Sequence, residues 1–355
     1  MNNTRSKSIT IIIVVTVIIL TACTSTNIDT TNQDILTIMT HDSFSISEQV
    51  LLNFESKYDV QVNILTSGDA GTMVNLAILN KENPIADLLY GIDNTLLSRA
   101  INEDLFESYQ SDNLSYVSDM HILDENHYVT PVNYGDVCIN YDKSYFKNNN
   151  LKVPESLTDL LNQKYSNLLV TQNPASSSTG LAFLLTTIGH FGQEEYLNYW
   201  SNLKQNGVKI VEDWESSYYT EFSGSSGNGN YPMVVSYASS PPAEVIFSET
   251  PITEAPTSSI VASETCFRQI EFIGIIKGTT NRKLSEHWID FVLTETFQED
   301  IPMQMFMFPV NGSANLPSEF VKHAQLAKKT SIVAPEDIEQ NRDQWIKAWS
   351  DLMIN

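Results

Sequence analysis

The sequence predicts an α/β fold of two lobes, each a mostly parallel sheet flanked by helices, with a ligand cleft between the lobes. Three observations predict it. Short β-type runs alternate with amphipathic stretches in β-α-β-α-β order across residues 35–102, the pattern of a parallel sheet covered on both faces. An extended segment containing Pro131, residues 128–135, then leads into a second set of strands, as a crossover between lobes does. The length of 355 residues is more than one core organises comfortably and suits two.

The N-terminus reads as an export signal. Arg5 and Lys7 are followed by an apolar run, 9–20, broken only by Thr10 and Thr16, and then by Leu20-Thr21-Ala22-Cys23. A positive start, a short apolar stretch and a small-residue cleavage site define a secretory signal, and the run is short of the ~20 residues a membrane span needs. Residues 1–22 are therefore expected to be removed. Residues 23–34 are polar, rich in Thr and Asn, and without apolar period, which predicts a flexible tether.

From residue 35 each element has its own signal. Residues 35–39 predict a strand, 48–57 a helix with Val50, Leu51 and Phe54 on one face, and 60–65 a strand. A helix at 73–80, a strand at 86–90 and a helical stretch at 96–102 follow. Beyond the crossover come strands at 137–141, 167–171, 208–211 and 233–237 and helices at 157–161, 181–191 and 194–204. A Gly/Ser/Asn loop, 223–230, precedes the last of these strands. Residues 271–276 predict a strand crossing back. Helices at 284–293 and 335–352 close the chain, the latter placing Ile338, Trp345, Trp349 and Leu352 on a core face. The expected division is 35–131 with 275–355 as one lobe and 132–274 as the other.

Composition narrows the partners. Forty-three acidic residues against 20 basic ones give a net charge of −23. Nucleic acid is excluded as a partner, because phosphate contacts need clustered Lys and Arg. Export permits a disulfide between Cys138 and Cys266, but each is equally a small core residue. No CxxC or HExxH spacing occurs and the six histidines are scattered, so neither a metal site nor a cofactor is expected. GxSxG and nucleotide-binding glycine loops are missing as well, which argues against an enzyme.

In open parallel sheets ligands gather beyond the carboxyl ends of the strands. The loops there hold His41-Asp42-Ser43-Phe44, Ser67-Gly68-Asp69, Gly91-Ile92-Asp93-Asn94, the 173–180 segment and Tyr237-Ala238-Ser239-Ser240-Pro241. The 173–180 loop opens a helix, whose free N–H groups and positive dipole end suit an anion. Ser178 or Thr179 capping that helix is the simpler reading, and Asp69 is either an N-cap or a cleft carboxylate. Trp214, between Asp213 and Glu215, offers a ring face to a cationic or heteroaromatic ligand.

Taken with Pro131-Val132-Asn133-Tyr134-Gly135, Phe306-Met307-Phe308-Pro309-Val310 and Gln340-Asn341-Arg342-Asp343-Gln344-Trp345, these loops resemble the thiamine-binding proteins of bacterial ABC importers. Those are relatives of the iron(III)- and polyamine-binding proteins and share the type II periplasmic-binding-protein fold. The resemblance covers nearly all of the folded chain. It implies a monomeric, non-enzymatic binder that delivers thiamine, a thiamine phosphate or a related pyrimidine to a permease and its ATPase. Leu-Thr-Ala-Cys likewise resembles the bacterial lipobox, which implies a lipid on Cys23 and a place on the outer face of the cytoplasmic membrane. Carried over position by position, Ser176 and Ser177 match the phosphate-side hydroxyls, Asp69 the acidic loop residue, Trp214 the stacking tryptophan and Tyr237 the hydroxyl donor. Asp42 and Phe306 complete the expected site. The chain departs from the pattern in three places: Ser45-Ile46-Ser47 lacks a tryptophan, Ala243 stands for a tyrosine, and Phe306 stands for a tryptophan. The alternative from the same superfamily is an iron(III) or polyamine binder, to which the adjacent Tyr218 and Tyr219 and the acidic charge point.

Overall fold

The computed structural model describes residues 33–225 and 229–354. The expected signal, Cys23 and the tether up to residue 32 lie outside the described residues; Asp34, expected to end the tether, instead opens the first strand, paired with Val60.

Local sequence accounts for most elements. Alternating apolar residues form β1 (Asp34–Thr40), whose inward side chains Leu36 and Ile38 are fully buried. Helix α1 (Glu48–Tyr58) buries Val50 and Phe54 and ends at Asp59 in the left-handed conformation. Strand β2 (Val60–Thr66) and helix α2 (Ala70–Leu79) follow; α2 starts three residues before the expected point because Asp69 caps it. Then come β3 (Leu88–Asp93), α3 (Leu97–Asn102) and the short β4 (Phe106–Glu107).

The extended segment and the strand after it fuse into one 13-residue strand, β5 (Thr130–Asp142). Helix α4 (Lys143–Asn148) is capped by Asp142. Next are β6 (Leu169–Gln172), α5 (Ser178–Phe191), α6 (Tyr196–Gln205), β7 (Lys209–Val211) and β8 (Met233–Tyr237). After them come α7 (Pro241–Ile246), β9 (Thr257–Ile260), β10 (Phe267–Ile276) and α8 (Arg282–Val292). The chain ends with α9 (Glu295–Gln298), α10 (Ile301–Gln304), β11 (Phe308–Pro309), α11 (Ser318–His323) and α12 (Pro335–Met353).

The strands run in the order β2-β1-β3-β10-β5-β8-β6-β7. Pairing is parallel among β2, β1 and β3 and among β8, β6 and β7. It is antiparallel through the middle, where β10 pairs with β3 and β5, and β5 with β8. The parallel groups are thus the two halves read from the sequence, and β5 and β10 are the strands that run between them. Both β10 pairings change register at Phe272, between Glu271 and Phe272 against β5 and between Phe272 and Ile273 against β3. A bulge there bends the strands where the halves meet.

On the far side of that bend, Cys138 and Cys266 form a disulfide across β5 and the start of β10. Beside it, Arg268 pairs with the fully buried Asp136. From Asp34 onward the described chain is one compact unit. Helix α12 departs from the expected division: the ring of Trp349 packs edge-on against Trp200 of α6, 5.4 Å between centroids. Ile338, Trp345 and Trp349 are buried as their spacing predicts, because α6 offers the apolar face that accepts them. Leu352 is half-buried, with Met353 taking the inner place.

Candidate ligand-binding cleft

The carboxyl ends of β1, β2, β6, β7 and β8, with the segments just after them, converge on one cavity. Counted out to its open mouth, the space is about 700 Å³. His41, Asp69 and Glu271 line it from one side, Ser178, Thr179, Trp214 and Tyr237 from the other, and Phe306 and its neighbouring methionines close it. A second cavity adjoins it, sharing Ser43, Asp69, Trp214 and Tyr219 and adding Asp42, Asp213 and Glu215.

Glycine shapes the floor. Gly91 in β3 has φ +95° and is the extra residue opposite the β10 register shift. A β-carbon there would lie 2.2 Å from the ring of His41, so only glycine admits that ring against the strand. Beneath it, His41 Nε2 lies 3.5 Å from Glu271 Oε1, and Asn133 donates to the other Glu271 oxygen at 2.7 Å and to the Tyr90 hydroxyl at 3.2 Å. Burial works against charge on His41, but the Glu271 carboxylate, with Asp69 and Asp42 behind it, outweighs burial and the imidazole pKa is raised. Glu271 is held below the usual carboxylate range by the reverse argument: burial opposes its charge, and the imidazole prevails.

Asp69 is both of the things the sequence left open. One carboxylate oxygen accepts the Ala70 N–H at 2.7 Å, capping α2, and also the Ser178 N–H at 3.0 Å. The other accepts the Trp214 N–H at 3.3 Å. Burial pushes this carboxyl up, against the pull of the Ser178 N–H and the Ser177 hydroxyl. Asp93, fully buried at the end of β3, accepts the Ser178 hydroxyl at 2.5 Å, and Gln269 also reaches that hydroxyl.

The aromatic wall is held from behind. Trp214 donates its indole N–H to Ser236 at 2.9 Å and stacks on Tyr218, 5.0 Å away and 18° from parallel. The following residues make a π-helical turn, Ser216–Glu221. The Tyr218 hydroxyl donates to Glu244, whose carboxyl is pushed up to about 7 by burial. Tyr237 donates to Gln269 at 2.9 Å. Phe306 sits in the left-handed region at φ +55°, a strained backbone for a bulky residue, and its ring meets Phe247 edge-on.

Of the residues expected from sequence, Asp69, Trp214, Tyr237 and Phe306 line the main cavity and Asp42 the second. Ser176 and Ser177 line neither: the Ser176 hydroxyl donates to the Glu212 carbonyl at 2.6 Å, and the buried Ser177 hydroxyl is shared with Thr179. Helical geometry turns the next two residues, Ser178 and Thr179, to the cavity instead. His41 and Glu271 were missed as site residues, although Gly91-Ile92 carried a signal for the bulge that seats His41. Ala243 and Phe306, two of the departures from the family's aromatic pattern, both stand on the wall. Tyr218 and Tyr219 do not present a matched pair. Tyr218 is buried, with its hydroxyl on Glu244, and the Tyr219 ring is exposed at 85° to it.

A family model described as bacterial extracellular solute-binding protein matches residues 83–341. The chain belongs to that family. It is 27% identical to a thiamine-binding periplasmic protein of Brucella suis over 323 residues, 89% of this chain and 91% of the relative. It is 25% identical to a thiamine-binding periplasmic protein of Escherichia coli, covering 89% of this chain and 92% of that one. A solved periplasmic thiamin binding protein superposes with a TM-score of 0.79 at 24% identity, over 90% of this chain and 96% of that one. The fold is therefore the two-lobed type II periplasmic-binding-protein fold, and the convergent loops of this solute-binding protein are its interlobe cleft. Among the described residues no helix is long and apolar enough to cross a membrane.

Proposed function

We propose that the chain captures thiamine, or a compound that shares its cationic ring system, and delivers it to a membrane permease driven by an ATPase, without catalysing a reaction. The observation that carries this reading is the Trp214 face, set against carboxylates in a cavity with no Lys or Arg among its described lining residues. A ring face and nearby carboxylates both attract a cationic ring. The names of the relatives support the same ligand. Asp42, Asp69, Trp214, Tyr237 and Phe306 are the proposed contacts, joined by His41, Ser178 and Thr179. Ser176 and Ser177 act one step back, shaping the loop that presents the latter two. A ligand touching both lobes binds the closed state better than the open one and shifts the population toward it.

In this reading Cys23 carries a lipid and residues 24–33, before the start of β1, are the tether. A flexible chain of that length reaches roughly 20 Å, which keeps the binder near its permease. Incorporation of labelled fatty acid into the wild type, and its loss in Cys23→Ser, tests the anchor.

Calorimetric titration with thiamine, its phosphates and its free pyrimidine tests the ligand; absence of binding by all of them overturns the assignment. The acid-lined second cavity is the one observation that favours a polyamine instead. Spermidine in the same titration series separates the two.

A further inference from the structure

We infer that Phe247 and Phe306 form an aromatic latch across the mouth of the cleft, which slows the escape of a bound solute. The inference rests on the capture reading and adds to it the contact that sets release.

The two rings come from opposite lobes. Phe306 follows α10, which is tied to the lobe of β1: the Ser45 hydroxyl donates to Gln304 at 3.1 Å, and the Ser47 N–H to Asp300 at 2.8 Å. Phe247 ends α7, which follows β8 in the other lobe. Buried Pro241 and Pro242 open that helix, and Glu244 within it accepts the Tyr218 hydroxyl at 2.9 Å, so α7 is fixed to the aromatic wall. The Phe247 N–H donates to the Ala243 carbonyl at 2.9 Å. The helical path therefore continues through Phe247 and sets it on the face of Ala243, one turn on. Ala243 lines the cavity with only a methyl group. Phe247 lies beyond it, at the rim, and meets Phe306 edge-on with 5.6 Å between ring centroids.

The core does not require either ring to be there. Phe247 is 70% exposed. Phe306 is half-buried and held in the left-handed region at φ +55°, a conformation that persists only where its surroundings fix it. Because α10 and α7 move with different lobes, the ring contact exists only while the cleft is shut. It therefore stabilises the closed state alone, by roughly two- to tenfold in the ratio of closed to open for an edge-on pair. A solute that leaves must wait for the rings to part, so the effect falls on the release rate.

Stopped-flow release of thiamine from the mature chain, followed by tryptophan fluorescence, tests the latch. Phe247→Ala is expected to release thiamine roughly two- to tenfold faster than the wild type, and Phe247→Tyr at the wild-type rate. In a Phe306→Ala background the Phe247→Ala change is expected to add nothing, since its partner ring is gone. Equal release from the wild type and Phe247→Ala, or an undiminished effect in the Phe306→Ala background, overturns the inference and leaves the thiamine reading standing. If thiamine binds neither protein, the thiamine reading fails and the ligand-free chain decides the latch. Single-molecule energy transfer between dyes on the two lobes should then show a smaller closed fraction in Phe247→Ala than in the wild type. An equal closed fraction overturns the inference.

Discussion

Gly71 and Ser176 meet backbone to backbone: a β-carbon on Gly71 would lie 2.7 Å from the Ser176 carbonyl oxygen. Gly71 is in the first turn of α2 and Ser176 is in the loop before α5, so the contact joins the two lobes. Neither residue lines the cavity. Gly71→Ala is therefore expected to hold the lobes apart without altering a ligand contact. Affinity for the ligand should fall by about tenfold or more, which 1.4 kcal/mol of lost closure supplies. Small-angle scattering should show the variant staying open at saturating ligand. An unchanged affinity would show that closure tolerates the added methyl.

The His41–Glu271 pair predicts a titration. His41 has a raised pKa: burial opposes its charge, and Glu271, with Asp69 and Asp42, together override burial. His41's contribution to stability is full below the ordinary imidazole value of about 6.5 and is lost as pH rises through the raised one. That of Glu271, whose pKa is lowered, is full above the ordinary carboxylate value of about 4.3 and is lost as pH falls, so the pair contributes fully only between the two. Glu271→Gln removes the nearest carboxylate and leaves burial opposed only by the two aspartates. The His41 imidazole followed by proton NMR should then titrate lower than in the wild type. A variant whose His41 titrates where the wild type does would assign the raised pKa to Asp42 and Asp69.

Glu244 should show in the heat stability. Burial raises its carboxyl to about 7 in the fold, with the Tyr218 hydroxyl pulling the other way. A carboxyl raised on folding holds more protons in the folded state, so its contribution is full below about 4.5 and is lost as pH rises through about 7. Glu244→Gln keeps an acceptor for Tyr218 without the charge. The variant is expected to melt above the wild type at pH 8, with the gap closing by pH 5. A gap independent of pH would mean that Glu244 stays ionised behind the aromatic wall.

The disulfide predicts a large effect of reduction. Cys138 and Cys266 are 128 residues apart in sequence, so their bond closes a long loop of the unfolded chain. Such a crosslink is worth about 2–5 kcal/mol. Urea unfolding of a Cys138→Ser, Cys266→Ser double variant should show a loss of that order. A loss below about 1 kcal/mol would mean that the neighbouring Arg268–Asp136 pair and the strand ladder hold β5 to β10 unaided.

Much of this was open to reading in the chain itself. Hydrophobic periodicity marked the strands and helices of both halves, since burial of alternate or third-and-fourth residues is a local property. The rule that ligands gather at strand carboxyl ends directed attention to Asp42, Asp69, Trp214 and Tyr237 before any contact was known. Phe306 was expected only through family resemblance, because its left-handed backbone leaves no mark in composition.

What the tertiary structure alone decided concerns partners distant in sequence. Asp69 could be known as a cap from its place before α2, but not as the cap of α5 more than a hundred residues away. The choice of Ser178 and Thr179 over Ser176 and Ser177 depended on a helix phase fixed by packing. Pairing of Cys138 with Cys266 depended on the register of β5 against β10, and the packing of α12 on α6 depended on a Trp–Trp contact across the fold. Local sequence sets which residues are able to form a strand, a helix or a cap. Which of the available donors and apolar faces they meet is set by the free energy of the whole assembled core, and that is not written in any one segment.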